Sequence, residues 1–353
     1  MIRPKLSIYV GESQISALRY NSPDDYKFYA YPYVPLDALT HNYSYKNRPA
    51  FVNQVIKKVF SDEVKLDPEN FDLIVGDVGG GRTFGDKKEH IGIGSALNSI
   101  HNFSWLMVEN FTVVTPSDFV SYFPFSEFKN DEEFINYFSN KSLYPQVVPG
   151  DREGYDREER LLNSISSQIK HKYKLDTPIV LTGGKFFNAN KNPGYMYVSA
   201  LEFLKEPGVY EVKIDTQNKL PVIGLLNQSF GDTTGEDTAK VGMLTADILD
   251  DSQFYNEFID VGTVLRSQGR AECLFEKEGS SPQFVEVDKN KIFILPLEKN
   301  EIARVSISTG KLGKIEKNIK GGDIGFIIDT RTEDNNRLNP EWVAVFEERL
   351  ASF

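Results

Sequence analysis

The apolar run Pro178-Ile-Val-Leu-Thr182 stops at two glycines, Gly183-Gly184, and a proline-started helical stretch from Pro193 to Lys205 follows. Two short strands are expected after that helix, Val209 to Ile214 ending at Asp215, and Leu220-Pro-Val-Ile-Gly-Leu-Leu226. Strand, glycine turn, helix and strand in that order predict an α/β fold. Glycines that end a buried strand bring the backbone close to its surroundings, because they carry no Cβ. Gly183 and Gly184 therefore suit either a loop at the edge of a nucleotide or a tight strand-to-helix turn.

The N-terminus reads as a meander over residues 5 to 33. Leu6, Ile8 and Val10 alternate with polar neighbours, Gly11-Glu12-Ser13 turns, Ile15 to Tyr20 returns, and Tyr26 to Tyr33 follows the turn Pro23-Asp24-Asp25. A strand, a glycine turn and a returning strand resemble the opening of an actin-like ATPase half. In that superfamily the turn wraps phosphates, and an aspartate at the end of the first strand holds magnesium through water. Gly11 and Ser13 keep the pattern, whereas Tyr9 stands in the acid's place; an exposed hairpin turn is the other reading.

From Arg48 to Phe60 the residues Phe51, Val52, Val55, Ile56, Val59 and Phe60 form one helical face. The strand Phe71 to Val75 then enters Gly76-Asp-Val-Gly-Gly-Gly-Arg-Thr83. Consecutive glycines expose N–H groups, Asp77 can reach a hydrated cation, and Arg82 and Thr83 can meet phosphate oxygens. This cluster resembles the second phosphate loop of actin-like ATPases. Glycine-rich turns also serve as plain loops. Between His90 and Gly150 the chain is aromatic and irregular, with a helix expected at 95–100, a strand near 111–114, a helix carrying Phe119, Val120 and Phe123 after the cap Thr115-Pro-Ser-Asp118, and another helix at 131–138. Its aromatics suit a partner-docking surface or a core beneath long loops.

The stretch Pro145 to Gly154 is the best internal boundary. Asp156 and Glu159 stand in a capping-box relation ahead of Leu162, Ile165, Ile169 and Tyr173. A further helix is expected from Thr238 to Leu249. After Asp251 the segments 258–265, 271–276, 284–287, 292–296 and 302–308 alternate and are separated by turn residues, as in a small antiparallel β module. A helix from Pro340 to Leu350 closes the chain, with Trp342, Val345 and Phe346 inward. The expected domains are 1–150, 151–250 and 251–353.

Composition narrows the function classes. A net charge of −11 opposes phosphate backbones, and no basic stripe stands against it, so a nucleic-acid partner is not expected. No stretch approaches the roughly 20 apolar residues that span a bilayer. The N-terminus reads as a strand and not as a secretion signal, so a cytoplasmic protein is expected. Cys273 is alone, and His41, His90, His101 and His171 are scattered, so no zinc-ligand spacing appears.

Three features in order, Ile179-Val-Leu-Thr-Gly-Gly184, the Asp215 to Leu226 turn, and Gly262-Thr-Val264 leading to Gly321-Gly-Asp-Ile-Gly-Phe-Ile-Ile-Asp-Thr-Arg331, resemble the C-terminal half of glutamate mutase L-type proteins. That family belongs to the actin-like (sugar kinase, Hsp70, actin) ATPase superfamily. The resemblance runs from about residue 155 onward. It implies a reduced actin-like, ribonuclease H-like fold with a C-terminal antiparallel β module. It further implies that Gly183 and Gly184 lie against the adenosine of ATP, that Gly79, Gly80, Gly81 and Thr83 hold phosphates, and that Asp77 contacts magnesium. With one magnesium-orienting acid replaced by Tyr9, a slow switch or degenerate ATPase that scaffolds a protein partner fits better than a fast enzyme. A purely structural assembly protein on the same fold is the alternative. A metabolite kinase lacks a legible acidic base. Ile324 to Ile328 reads as a buried strand, and Asp329 with Arg331 as turn or ion-pair residues.

Overall fold

The computed structural model describes residues 4–10, 14–32, 72–77, 129–130, 132–133, 136–137, 150–157, 179–182, 193–204, 206–217, 219–220, 222–223, 226, 243–245, 258–332 and 339–352. The chain divides into two compact units: residues 1–147, 183–187 and 217–242 form one, and 148–182, 188–216 and 243–353 the other. The described residues are mixed α/β, with mostly antiparallel sheets and few helices.

In the first unit β1 (Lys5–Val10), β2 (Gln14–Ser22) and β3 (Asp25–Pro32) form the expected meander, turning at Pro23-Asp24. β4 (Asp72–Asp77) adds to it in parallel on the β1 side, giving the order β3-β2-β1-β4. β1 is covered on both faces. Leu6 and Ile8 are buried on one, and on the other the buried Ser7 hydroxyl donates to the Val222 carbonyl at 2.8 Å. Residues 220, 222, 223 and 226 are helical, which corrects the strand expected there. Bonds from the Val222 and Ile223 N–H groups to the Lys219 carbonyl close the first turn, and Leu220, Val222, Ile223 and Leu226 are buried at helical spacing. Further along this unit, Asn130 and Glu133 cap a helix reciprocally: Glu133 N–H donates to Asn130 Oδ1 at 2.8 Å and Lys129 N–H to Glu133 Oε2 at 2.9 Å. The segments 48–60, 95–100, 111–114 and 115–123 lie outside the described residues.

The second unit holds two sheets. Its six-stranded sheet joins β5 (Ile179–Thr182), β6 (Gly208–Asp215), β7 (Met243–Thr245), β8 (Ile259–Arg266), β11 (Ile292–Leu295) and β14 (Gly325–Asp329) in the order β11-β14-β8-β6-β5-β7. The β5–β6 and β8–β14 pairs are parallel, and the other pairs antiparallel. β7 replaces the helix expected over 238–249: Met243 to Thr245 pair with Ile179 to Leu181, and edge pairing outweighs a helical spacing that Val241 and Leu244 happen to offer. A four-stranded antiparallel sheet, β10-β9-β12-β13, comprises β9 (Ala271–Lys277), β10 (Gln283–Val287), β12 (Ile302–Thr309) and β13 (Gly313–Lys320). From residues 251–353, β8, β11 and β14 complete the sheet that β5 and β6 begin.

One face of β9 and β12 carries Ala271, Cys273, Phe275, Ala303, Val305 and Ile307, which pack with Leu265, Leu295, Phe326 and Ile328 of the larger sheet into one core. Central β8 and β14 are buried on both faces, as near-continuous apolar strands are. Two of the described helices of this unit pack together. α1 (Pro193–Leu201) and α2 (Pro340–Ala351) approach at Gly194, where an added Cβ would meet Val343 Cγ1 at 2.8 Å, and at the stacked Tyr197 and Phe346 rings, 5.2 Å apart. Asn339 caps α2 by accepting from Glu341 N–H at 3.0 Å, with Pro340 in the first turn. Trp342, Val343 and Phe346 are buried in place of the expected trio with Val345. Residues 152–157 are helical, opening where Asp151 Oδ1 accepts the Gly154 N–H at 2.8 Å and the Asp151 carbonyl accepts the Tyr155 N–H at 3.2 Å, while Leu162, Ile165, Ile169 and Tyr173 lie outside the described residues. No helix among the described residues is long and apolar enough to cross a membrane.

Candidate functional site

The parallel ladder of the first unit runs from Lys5 opposite Asp72 to Val10 opposite Asp77. β1 and β4 therefore finish side by side, and the sequence continues from those two ends into Gly11-Glu12-Ser13 and into Val78-Gly79-Gly80-Gly81-Arg82-Thr83. The carboxyl ends of neighbouring parallel strands are where α/β sheets collect ligands. Asp77 is described through its backbone, as the last residue of β4. Its side chain, and Gly11, Ser13, Gly79, Gly80, Gly81, Thr83, Gly183 and Gly184, lie outside the described residues. In the second unit β5 ends at Thr182, opposite the buried Asp215 at the end of β6.

The closing glycine string is described in full. Gly262 (φ 99°) sits opposite Gly325 (φ 122°) where β8 and β14 begin their pairing. A Cβ on Gly322 would stand 2.5 Å from the Asp260 carbonyl oxygen, one on Gly321 2.5 Å from the Leu297 carbonyl oxygen, and one on Gly325 2.6 Å from that of Leu295. These glycines let backbone cross backbone, and other parts of the chain fill the space a ligand would need. The acids beside them are occupied too. Asp323 N–H donates to the Asp260 carbonyl at 2.6 Å, Asp260 N–H to Asp323 Oδ2 at 2.9 Å, Lys213 Nζ lies 3.1 Å from Asp260 Oδ2, and Lys299 Nζ 3.0 Å from Asp323 Oδ1.

The opposite end of the same strand pair holds a buried charge cluster. Arg266 and Asp329 end β8 and β14 in register, with Arg266 Nη1 2.5 Å from Asp329 Oδ2. Arg331 grips Asp329 in a fork, Nε to Oδ1 at 3.0 Å and Nη2 to Oδ2 at 2.9 Å, while its backbone N–H also reaches Oδ1 at 3.0 Å. Its remaining Nη1 donates to Glu202 Oε1 at 2.5 Å, and the guanidinium lies 4.9 Å from the centroid of the Trp342 ring. Burial alone would raise the Asp329 carboxyl; the Arg266 and Arg331 charges and the Arg331 hydrogen bonds outweigh it and hold the carboxyl below its ordinary range. Two arginines and two acids balance. An anion so saturated by guanidinium is a poor proton acceptor, so the cluster suits holding elements together and not acid–base chemistry. The ion pair expected of Asp329 and Arg331 is present. Glu202, Arg266 and Trp342 were not expected; lone charges set in the apolar runs Ala-Leu-Glu-Phe-Leu and Val-Leu-Arg were the available signal.

Among the described residues no group of three His, Cys, Asp or Glu side chains is placed to hold a metal ion. Cys273 lies in the core between the sheets, and burial pushes its thiol up to about 12, away from nucleophilic reactivity. No protein-family model, curated protein or solved structure matches the chain.

Proposed function

We propose that the first unit is an actin-like nucleotide-binding module that serves as a slow switch or scaffold for a protein partner. The observation that carries this reading is the parallel register that ends β1 at Val10 beside β4 at Asp77, so that two glycine-bearing segments leave adjacent strand ends. The meander β1-β2-β3, with Gly11-Glu12-Ser13 between its first two strands, fits the opening of an actin-like half. On this reading the N–H groups at Gly11, Ser13, Gly79, Gly80 and Gly81 and the Thr83 hydroxyl hold the phosphates of ATP, Asp77 orients magnesium through water, and Gly183 and Gly184 lie against the adenosine. Tyr9 at the position of an acid makes hydrolysis slower than binding.

The test is thermal unfolding with and without ATP and magnesium. A ligand at about 100 times its dissociation constant stabilises a protein by ~2.7 kcal/mol, which moves the midpoint by several degrees. Gly80→Val and Gly184→Val should each abolish the shift, and Asp77→Ala should reduce the magnesium-dependent part of it. Retained shifts in both glycine variants overturn the site. A purely structural assembly role is the second reading. It is favoured by the Gly321 to Gly325 string, whose glycines are spent on backbone crossing, and it predicts no shift at millimolar ATP.

A further inference from the structure

Among the described residues the four-stranded sheet ends in two edges of opposite character. β13 carries Lys314, Lys317 and Lys320 against one acid, Glu316. β10, Gln-Phe-Val-Glu-Val, has no base, and its Glu286 stands opposite Glu272 of β9, with Glu276 on the same side. Lysines keep an edge such as β13 from pairing with an edge of like charge, and β10 carries an acid in their place. Its Phe284 is 64% exposed and its Val285 half-buried.

Direction and face also match. Every step of β10-β9-β12-β13 is antiparallel, so β13 runs opposite to β10. A second molecule displaced along the sheet lays its β13 antiparallel to the first molecule's β10, with the packed faces on one side and the open faces on the other. The Thr263 hydroxyl engages both the N–H and the carbonyl of Lys320, and the Gly313 to Glu316 part of β13 lies beyond that contact. Setting Val285 opposite Ile315 joins two half-buried apolar residues on the packed side, and the same register sets Glu286 opposite Lys314 on the open side. Both charges now sit in exposed local pairs, Glu286 with Arg270 at 2.7 Å and Lys314 with Glu316 at 3.3 Å, which exchange at little cost.

We propose that β10 takes β13 of a second copy of this chain as an added strand, joining molecules head to tail. The alternative two-fold pairing of β10 with β10 would put two acidic edges without a base side by side, a like-charge contact that opposes it. A head-to-tail contact is heterologous and builds open-ended assemblies instead of a closed dimer. A two-strand edge is a small interface, so the association is weak and concentration-dependent. This association needs no nucleotide.

Sedimentation velocity of the full chain without ATP should show an average mass that rises steadily with concentration towards about 1 mM and falls in high salt. Glu286→Lys and Lys314→Glu should each weaken association by about tenfold or more, and mixing the two variants should restore pairing, because each retains one native edge. Glu286→Cys mixed with Lys314→Cys should give an intermolecular disulfide. A chain that stays monomeric overturns the proposal, as does unchanged association in both charge variants, or a Glu286→Cys variant that links mainly to itself. Glu286→Gln and Lys314→Gln give the same contrast should a reversed charge disturb folding.

Discussion

The two ends of the β8–β14 pair are fixed by opposite means. At the start of the pair Gly262, Gly322 and Gly325 bring backbones within the reach of a single missing Cβ. At the finish Arg266, Asp329, Arg331 and Glu202 bury four charges against one another. The first end cannot accept an added atom, and the second cannot lose one. Sequence motifs that mix both kinds of residue, as Gly321 to Arg331 does, therefore need not describe a ligand site: here one short string supplies a crossing, a buried strand and half of an ion cluster.

Adding atoms at the glycine end should have the largest effect. Gly322→Val places a Cβ 2.5 Å from Gly262 Cα and from the Asp260 carbonyl oxygen, contacts between backbones that cannot swing aside. A loss of more than about 4 kcal/mol is expected, read as loss of a cooperative transition in urea. Gly310 is the matched control, because an added Cβ there meets nothing within 4 Å. Gly310→Ala should stay within about 0.5 kcal/mol of the parent.

Removing atoms at the charged end comes next. Asp329→Ala leaves Arg266 and Arg331 facing each other without their shared anion, and breaking a buried pair in this way costs about 3–5 kcal/mol. The same carboxylate sets an acid limit. Its folded pKa is depressed, so its contribution is fully present above the unfolded value of about 3.9 and is lost as pH falls from there through the folded value. The stability gap between the parent and Asp329→Asn, followed by urea titration from neutral pH downward, should hold until about pH 4 and then narrow. A gap that closes above that range would mean the carboxyl is not held down by the two arginines.

The contrast between the ends also marks what could be read from the chain. Alternation placed β1, β2, β3 and most strands after residue 258, because a half-buried strand writes its period into the sequence, as Ala271, Cys273 and Phe275 do. β13 was missed: Gly-Lys-Ile-Glu-Lys-Asn-Ile-Lys is an exposed edge with little apolar periodicity. Met243 to Thr245 and the helical residues from Leu220 were misread, since short apolar runs fit both periods until a neighbour decides. The glycine crossing was visible as glycines but not as a crossing. Glu202 is 129 residues from Arg331, and no local pattern joins them. Of the proposed nucleotide site, the strand ends were legible in the Leu6-Ile8-Val10 alternation and the apolar run into Asp77, while their adjacency depends on the parallel register.

Within the charged end the effects should then fall in order of how much support remains. Glu202→Gln keeps the shape and a hydrogen-bond acceptor for Arg331 Nη1 but removes the charge, and Arg331 retains its fork on Asp329; a loss of about 1–3 kcal/mol is expected. Trp342→Phe is the mildest change. A phenyl ring still offers a face to the guanidinium 4.9 Å away and still fills the base of α2, whereas the hydrogen bond from the indole N–H to the Asn290 carbonyl, 3.0 Å long, is lost. One buried hydrogen bond and a weaker cation–π contact together amount to about 1–2 kcal/mol. If Trp342→Phe instead matched Asp329→Ala in denaturant midpoint, the aromatic ring and not the ion cluster would be what ties α2 to the ends of β8 and β14.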